Sequence, residues 1–237
     1  MRNVSRRPSP LHGDSTGSGG GPLGKRVEVA LHGHRAGERP AGEPLPALAV
    51  LGRSNVGKSS LLNALLGTKL AKVSQTPGRT QALYWYRVDG RFYVVDCPGY
   101  GYAKASHESR ERFAAMIEAF LTGEPAPAGA LLLVDARLAP QDADRSMRLF
   151  LDSLGVPAVV AATKWDAVRP AERVRKRRLL EAAYASKDQP LQPVSSETGE
   201  HLHDLARQLI ALLGEGSPSR SARAAGNPPQ RSRNAAT

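Results

Sequence analysis

Gly52-Arg53-Ser54-Asn55-Val56-Gly57-Lys58-Ser59 is the stretch on which the fold turns. It stands between an apolar run at 47–51 and a helical pattern at 58–66. That strand-then-helix setting is what a Gly-x-x-x-x-Gly-Lys-Ser pattern requires. The glycines at its two ends let the backbone wrap phosphate oxygens without a Cβ in the way. Successive N–H groups, through Arg53, Ser54, Asn55 and Val56, form a nest for an anion, and the helix start adds partial positive charge. Lys58 is placed to reach the outer phosphates, and Ser59 to offer its hydroxyl to Mg²⁺. Alone, such a pattern also arises by chance in Gly-rich turns.

Working outward along the chain removes that alternative. Asp96-Cys97-Pro98-Gly99 closes the apolar run 92–95. A carboxylate there can hold magnesium through a water, and the Gly99 N–H can approach a γ-phosphate. Thr163-Lys164-Trp165-Asp166 closes another apolar run. An aspartate at 166 can accept from the N1–H and 2-amino group of guanine, a donor pair that adenine lacks. Hydrogen-bond pairing of this kind discriminates strongly, because the wrong base leaves buried groups unpaired. Lys164 would lay its aliphatic stem along the base. Val194-Ser195-Ser196 ends a short strand where a loop would close over the base. Between the first two motifs lies Gln75-Thr76-Pro77-Gly78-Arg79-Thr80-Gln81. A switch loop needs a threonine that completes the magnesium shell; Thr80 is the choice and Thr76 its rival. Gly78, Arg79, Gln81 and Ala82 flank it in the expected nucleotide-binding segment. The expected ligands are therefore GTP or GDP with Mg²⁺, and Asp166 argues against an ATPase.

The same alternation sets the fold. Strand-like apolar runs stand at 47–51, 82–88, 92–96, 130–135, 158–163 and 191–194. Phe113, Met116, Ile117, Phe120 and Leu121 follow helical spacing, as do Leu202, Leu205, Leu209, Leu212 and Leu213. Asp89-Gly90 between two β-rich runs is a hairpin signal. The expectation is a three-layer α/β P-loop GTPase domain: a mostly parallel sheet with one antiparallel edge strand and helices on both faces.

Composition bounds the rest. The chain has 237 residues, 41% of them hydrophobic, and one cysteine, Cys97, which excludes an intramolecular disulfide framework and fits a structural role. The longest apolar runs, 130–134 and 156–162, are far shorter than a bilayer span. With no signal-like leader, a cytoplasmic protein is expected. The net charge of +11 and pI near 10.2 favour contact with an anionic polymer. Residues 1–44 hold seven Lys/Arg against four Asp/Glu, 45–213 twenty-two against seventeen, and 214–237 four against one. Residues 1–44 read as a largely disordered basic leader with a short strand at 26–32. Residues 45–213 read as the GTPase domain and 214–237 as a disordered tail. The 24 tail residues are too few and too polar for a further RNA-binding domain. The run Arg173, Arg175, Lys176, Arg177, Arg178 reads equally as a phosphate-backbone contact or a solvated helix face.

At this point the sequence resembles the EngB group of bacterial GTPases, also called YihA or YsxC, within the Era-like class. The matching residues are 52–60, 76–81, Asp96-Cys97-Pro98-Gly99-Tyr100-Gly101-Tyr102-Ala103, 163–166 and 194–196, within a span of 44–213. The resemblance implies a monomeric GTP-binding protein in assembly of the large ribosomal subunit or contact with its RNA, with a link to division septum formation. It carries the magnesium ligands to Ser59 and Thr80. Asn55, by resemblance to related GTPases, implies a K⁺ ion held against the phosphates, making Lys58, Thr80 and Asn55 the expected catalytic set. Tyr100 stands where many signalling GTPases place a water-orienting glutamine, so unstimulated hydrolysis is expected to be slow. The chain departs from the group at Ala47, usually acidic, at Cys97, commonly leucine, and at His201, usually glycine, with Gly199 nearby. The remaining alternative is a non-catalytic basic RNA-binding protein with a vestigial nucleotide site, against which Lys58, Ser59, Thr80 and Asp96 argue.

Overall fold

The computed structural model describes residues 16–17, 20–33, 37–42, 44–70, 82–101, 107–185 and 191–215. Among these, eight strands form one sheet in the order β1-β2-β4-β5-β3-β6-β7-β8. The strands are β1 (Thr16–Gly17), β2 (Val27–Gly33), β3 (Ala47–Gly52), β4 (Leu83–Val88), β5 (Phe92–Asp96), β6 (Gly129–Asp135), β7 (Ala158–Thr163) and β8 (Leu191–Pro193). The helices are α1 (Lys58–Leu66), α2 (His107–Thr122), α3 (Asp142–Ser153), α4 (Pro170–Tyr184) and α5 (Leu202–Glu215).

Strands β5, β3, β6, β7 and β8 run parallel, in the registers Val50↔Asp96, Leu51↔Leu132, Asp135↔Thr163 and Ala162↔Pro193. Their C-terminal ends therefore lie along one edge of the sheet. Every residue of β3, β5 and β7 is buried, as expected of strands covered on both faces. Alternate residues of β3 serve different layers. Ala47, Ala49 and Leu51 pack with Met116, Ile117, Phe120 and Leu121 of α2, Leu151 of α3 and Leu180 of α4. Leu48 and Val50 pack with Leu61, Leu62, Leu65 and Leu66 of α1 and with the leucines of α5. The helical spacing read in α2 and α5 thus maps onto buried faces.

The Asp89-Gly90 turn has φ of 49° and 67°, and Arg91 N–H donates to Val88 O at 2.9 Å, the geometry of a tight hairpin. It makes β4 antiparallel to β5. Strand β4 is not the last strand on its side: β2 pairs with it, and β1 pairs with β2, both antiparallel. The Asp89 carboxylate also accepts from the Lys25 and Arg26 N–H groups at 3.0 and 2.8 Å, fixing the entry to β2.

The structure also differs from the disordered reading of the leader at 20–24. Leu23 is buried in the α1/α5 layer, and its N–H donates to Leu65 O at 3.0 Å. Burying a leucine contributes about 2 kcal/mol, which the Ser/Gly-rich composition around it conceals.

Candidate functional site

Each parallel strand delivers a loop to the same edge. Strand β3 ends at Gly52 and leads through Arg53–Val56 to Gly57, whose φ of 99° a residue with a Cβ adopts only under strain. Lys58 and Ser59 are the first two residues of α1, so their neighbourhood holds the unpaired N–H groups of a helix start. The turn after β5 lies against this loop. Ser54 N–H donates to Tyr100 O at 3.0 Å, and Tyr100 N–H donates to Gly52 O at 3.3 Å. Gly99 is needed for that approach: a Cβ there would sit 3.1 Å from the Ser54 N, Cα and Oγ. Lys58 and Asp96 form a buried ion pair. Cys97 is wholly buried, and that burial pushes its thiol up to about 12, with Asp96 adding to the shift and Lys58 opposing it.

The β7 loop contacts the 53–57 loop through Thr163 and Lys164. Thr163 Oγ1 lies 2.7 Å from Val56 O and 3.1 Å from Val134 O. Lys164 has a left-handed φ of 58° and spans the loop, its Nζ donating to Asn55 O at 2.6 Å and to Asp135 Oδ2 at 2.8 Å. Burial alone would raise the Asp135 pKa, but the hydrogen bonds from Arg137 and Lys164 outweigh it and hold the carboxyl below its ordinary value. Asp135 was not singled out from the sequence. Its signal was available, since it closes an apolar strand as Asp96 does.

Trp165 and Asp166 fall in a single 3-10 turn, Trp165 buried and Asp166 exposed. Trp165 N–H donates to Val194 O at 3.2 Å, and Ser195 Oγ donates to Asp166 Oδ1 at 2.5 Å. Ser195 Oγ in turn accepts from the Glu197 and Thr198 N–H groups at 3.2 and 3.1 Å. Ser196 follows, half-buried, and Ala82 is buried just ahead of β4. Gly78, Arg79, Thr80 and Gln81 lie outside the described residues, as do the rival Thr76 and Tyr102.

Two other sequence readings take a definite form. Tyr100 packs against the α2/α3 layer, and its hydroxyl donates to Asp144 Oδ1 at 2.9 Å. Burial, reinforced by the Asp144 charge, raises the Tyr100 pKa well above its ordinary value; burial also raises that of Asp144. Arg53 Nη1 reaches Gln141 Oε1 at 3.1 Å, so loop and turn are both tied to the start of α3. The basic run of α4 divides. Arg173 is engaged with Glu200, Lys176 Nζ with the Arg137 and Leu138 carbonyls, and Arg177 with Glu181. Arg175 is exposed and only distantly paired with Glu172, at 3.7 Å.

An open α/β sheet binds ligands beyond the carboxyl ends of its parallel strands, and here that edge carries the start of α1 after β3, a buried Lys–Asp pair and, after β7 two strands further along, an exposed aspartate. This is the architecture of a P-loop GTPase. A family described as 50S ribosome-binding GTPase matches residues 47–164. The probable GTP-binding protein EngB of Thermotoga maritima is 39% identical over 193 residues, covering 80% of this chain and 97% of that protein. The corresponding protein of Limosilactobacillus fermentum is 44% identical over 174 residues, covering 73% of this chain and 88% of that one. A crystal structure of a probable GTP-binding protein engB superposes with a TM-score of 0.62 at 25% identity, over 71% of this chain and 99% of that one. Era in complex with MgGDPNP and 16S ribosomal RNA shares the fold, with a TM-score of 0.57 at 24% identity over 72% of this chain and 57% of that one. The chain belongs to the EngB family of GTP-binding proteins. Among the described residues no helix is long and apolar enough to cross a membrane.

Proposed function

We propose that this protein is a slow GTPase, a nucleotide-controlled cytoplasmic switch acting as a monomer in assembly of the large ribosomal subunit, with a link to division septum formation. The observation that carries the nucleotide part is Lys164: one side chain joins the loop before Lys58 to the turn that bears Asp166. Phosphate and base sites are thereby held at one fixed span. The ribosomal part is supported by the net charge of +11 and by the description of the matching family.

In this reading the N–H groups of Gly52–Ser59 cradle the phosphates, with Arg53, Ser54, Asn55, Val56 and Gly57 shaping the loop. Lys58 passes from its ion pair with Asp96 to the phosphate oxygens. The hydroxyl of Ser59 and the carboxylate of Asp96 are hard oxygen donors at the ends of neighbouring elements, and such a donor set fits Mg²⁺. Ser59 and Thr80 would hold it directly and Asp96 through a water; the ion supplies charge neutralisation between phosphates. Gly78, Arg79, Gln81 and Ala82 flank Thr80, and Cys97 and Pro98 lead into Gly99, whose N–H meets the γ-phosphate. The backbone carbonyl of Asn55 is taken by Lys164, which leaves its exposed side-chain amide for K⁺. Lys164 and Trp165 flank the base, Asp166 accepts from its paired donors, and Thr163, Val194, Ser195 and Ser196 support that turn. Tyr100 commits its hydroxyl to Asp144 and orients no water, which accords with slow turnover.

The test is binding of fluorescent GDP and GTP, competed with ATP, beside Asp166→Asn. Guanine selectivity that moves toward xanthine nucleotides in the variant is the expected result; an unaffected variant sinks the base assignment. Co-sedimentation with large-subunit particles that strengthens with GTP is expected, and its absence in both nucleotide states overturns the ribosomal part. Turnover on those particles should rise when Na⁺ is replaced by K⁺, and an unchanged rate removes the role given to Asn55.

A further inference from the structure

Arg173 has more partners than a solvated helix face needs. Its Nε donates to Val168 O at 3.3 Å and its Nη2 to Trp165 O at 3.2 Å. Its Nη1 and Nη2 meet Glu200 Oε1 and Oε2 at 2.9 and 3.3 Å. The guanidinium also lies over the Trp165 ring, 5.7 Å from its centre. Glu200 belongs to the other loop of the base side: its carbonyl accepts from Ser195 N–H at 3.1 Å, and Ser195 holds Asp166. A closed circuit results, from Asp166 through Ser195, Glu200 and Arg173 back to Trp165.

We propose that Arg173 and Glu200 are positioning residues for base selectivity, fixing the 165–167 turn and the 195–200 loop at one separation so that Asp166 meets both donors of the base squarely. The proposal rests on the assignment of Asp166 as the base reader. The alternative role, stability, is too small to explain the arrangement. Both side chains are about one-third exposed, and ion pairs of that kind contribute less than about 1 kcal/mol. What the site demands is a planar fork that can serve a carboxylate and two carbonyls together, which a lysine cannot supply.

The experiment measures dissociation constants for GDP and for inosine diphosphate, which keeps the N1–H but lacks the 2-amino group. Arg173→Gln should weaken GDP binding about tenfold and inosine diphosphate binding much less, so that the preference between them shrinks. Arg173→Lys should recover only part of it, and Glu200→Gln should move the ratio in the same direction by less. Thermal unfolding midpoints should stay near that of the unaltered protein. An unchanged ratio in both Arg173→Gln and Glu200→Gln, or equal weakening of both nucleotides, overturns the proposal. Asp166→Asn runs alongside. If it too leaves guanine preference intact, the base assignment has failed; if it alone shifts the preference, only the positioning role has failed.

Discussion

Around Lys58 the site is held by main chain: Ser54 N–H on Tyr100 O, Tyr100 N–H on Gly52 O, Val56 N–H on Arg53 O, with Gly99 admitted only because it has no Cβ. Around Asp166 it is held by side chains from distant segments: Ser195 on Asp166, Arg173 on Trp165 and Glu200, Lys164 on Asn55 and Asp135. Phosphate is an anion that any row of N–H groups can cradle, so contiguous backbone suffices. A purine edge has direction, and fixing a carboxylate against it takes braces on more than one side.

The contrast can be broken in four places. Lys58→Ala should have the largest effect, because it strands Asp96 as a buried charge without its partner; the unliganded protein should lose about 3 kcal/mol in urea denaturation, with loss of measurable GTP binding. Tyr100→Phe should follow at about 1–2 kcal/mol by the same measurement, since Asp144 is buried and loses its hydroxyl donor. Lys164→Met keeps the apolar stem but cuts the link between the halves. GDP affinity, read by fluorescence titration, should fall about tenfold with little change in unfolding midpoint. The smallest effect belongs to Asp135→Asn. Because the folded pKa of Asp135 is depressed, its carboxylate stabilises the fold above the ordinary aspartate value of about 3.9 and loses that contribution as pH falls below it. The advantage of the unaltered protein over this variant should be about 1 kcal/mol or less at neutral pH and should fade in acid, followed by denaturation at several pH values.

Much of this was legible in the sequence, for identifiable reasons. Strands β5 and β7 and helix α1 fall where the apolar runs and helical spacing put them, because strands covered on both faces are apolar throughout. The hairpin was legible because Asp89-Gly90 suits positive φ at both positions. Of the proposed site residues, those in contiguous motifs can be named from the sequence, and the described ones lie at one edge of the sheet, beyond the C-terminal ends of its parallel strands. Residues whose role depends on a remote partner could not. Arg173 and Glu200 are 27 positions apart, and nothing local distinguishes Arg173 from its basic neighbours on α4. The pairing of β2 with β4 was equally hidden, because a single seven-residue strand does not announce its neighbour. Leu23 escaped for the opposite reason: one leucine among serines and glycines is enough to dock a segment once α1 offers it a place.

Cys97 has a practical consequence. It is the one cysteine in 237 residues, has no exposed surface, and its burial pushes the thiol pKa well above the ordinary value, disfavouring the thiolate. Thiolate is the species that maleimides and iodoacetamides attack. The folded chain is therefore chemically silent to such dyes as it stands. A cysteine introduced on the outer face of α4, at exposed Val174 for instance, would take a single fluorophore without removal of the native thiol. Nucleotide state could then be followed optically on a particle, in a molecule whose own site is untouched.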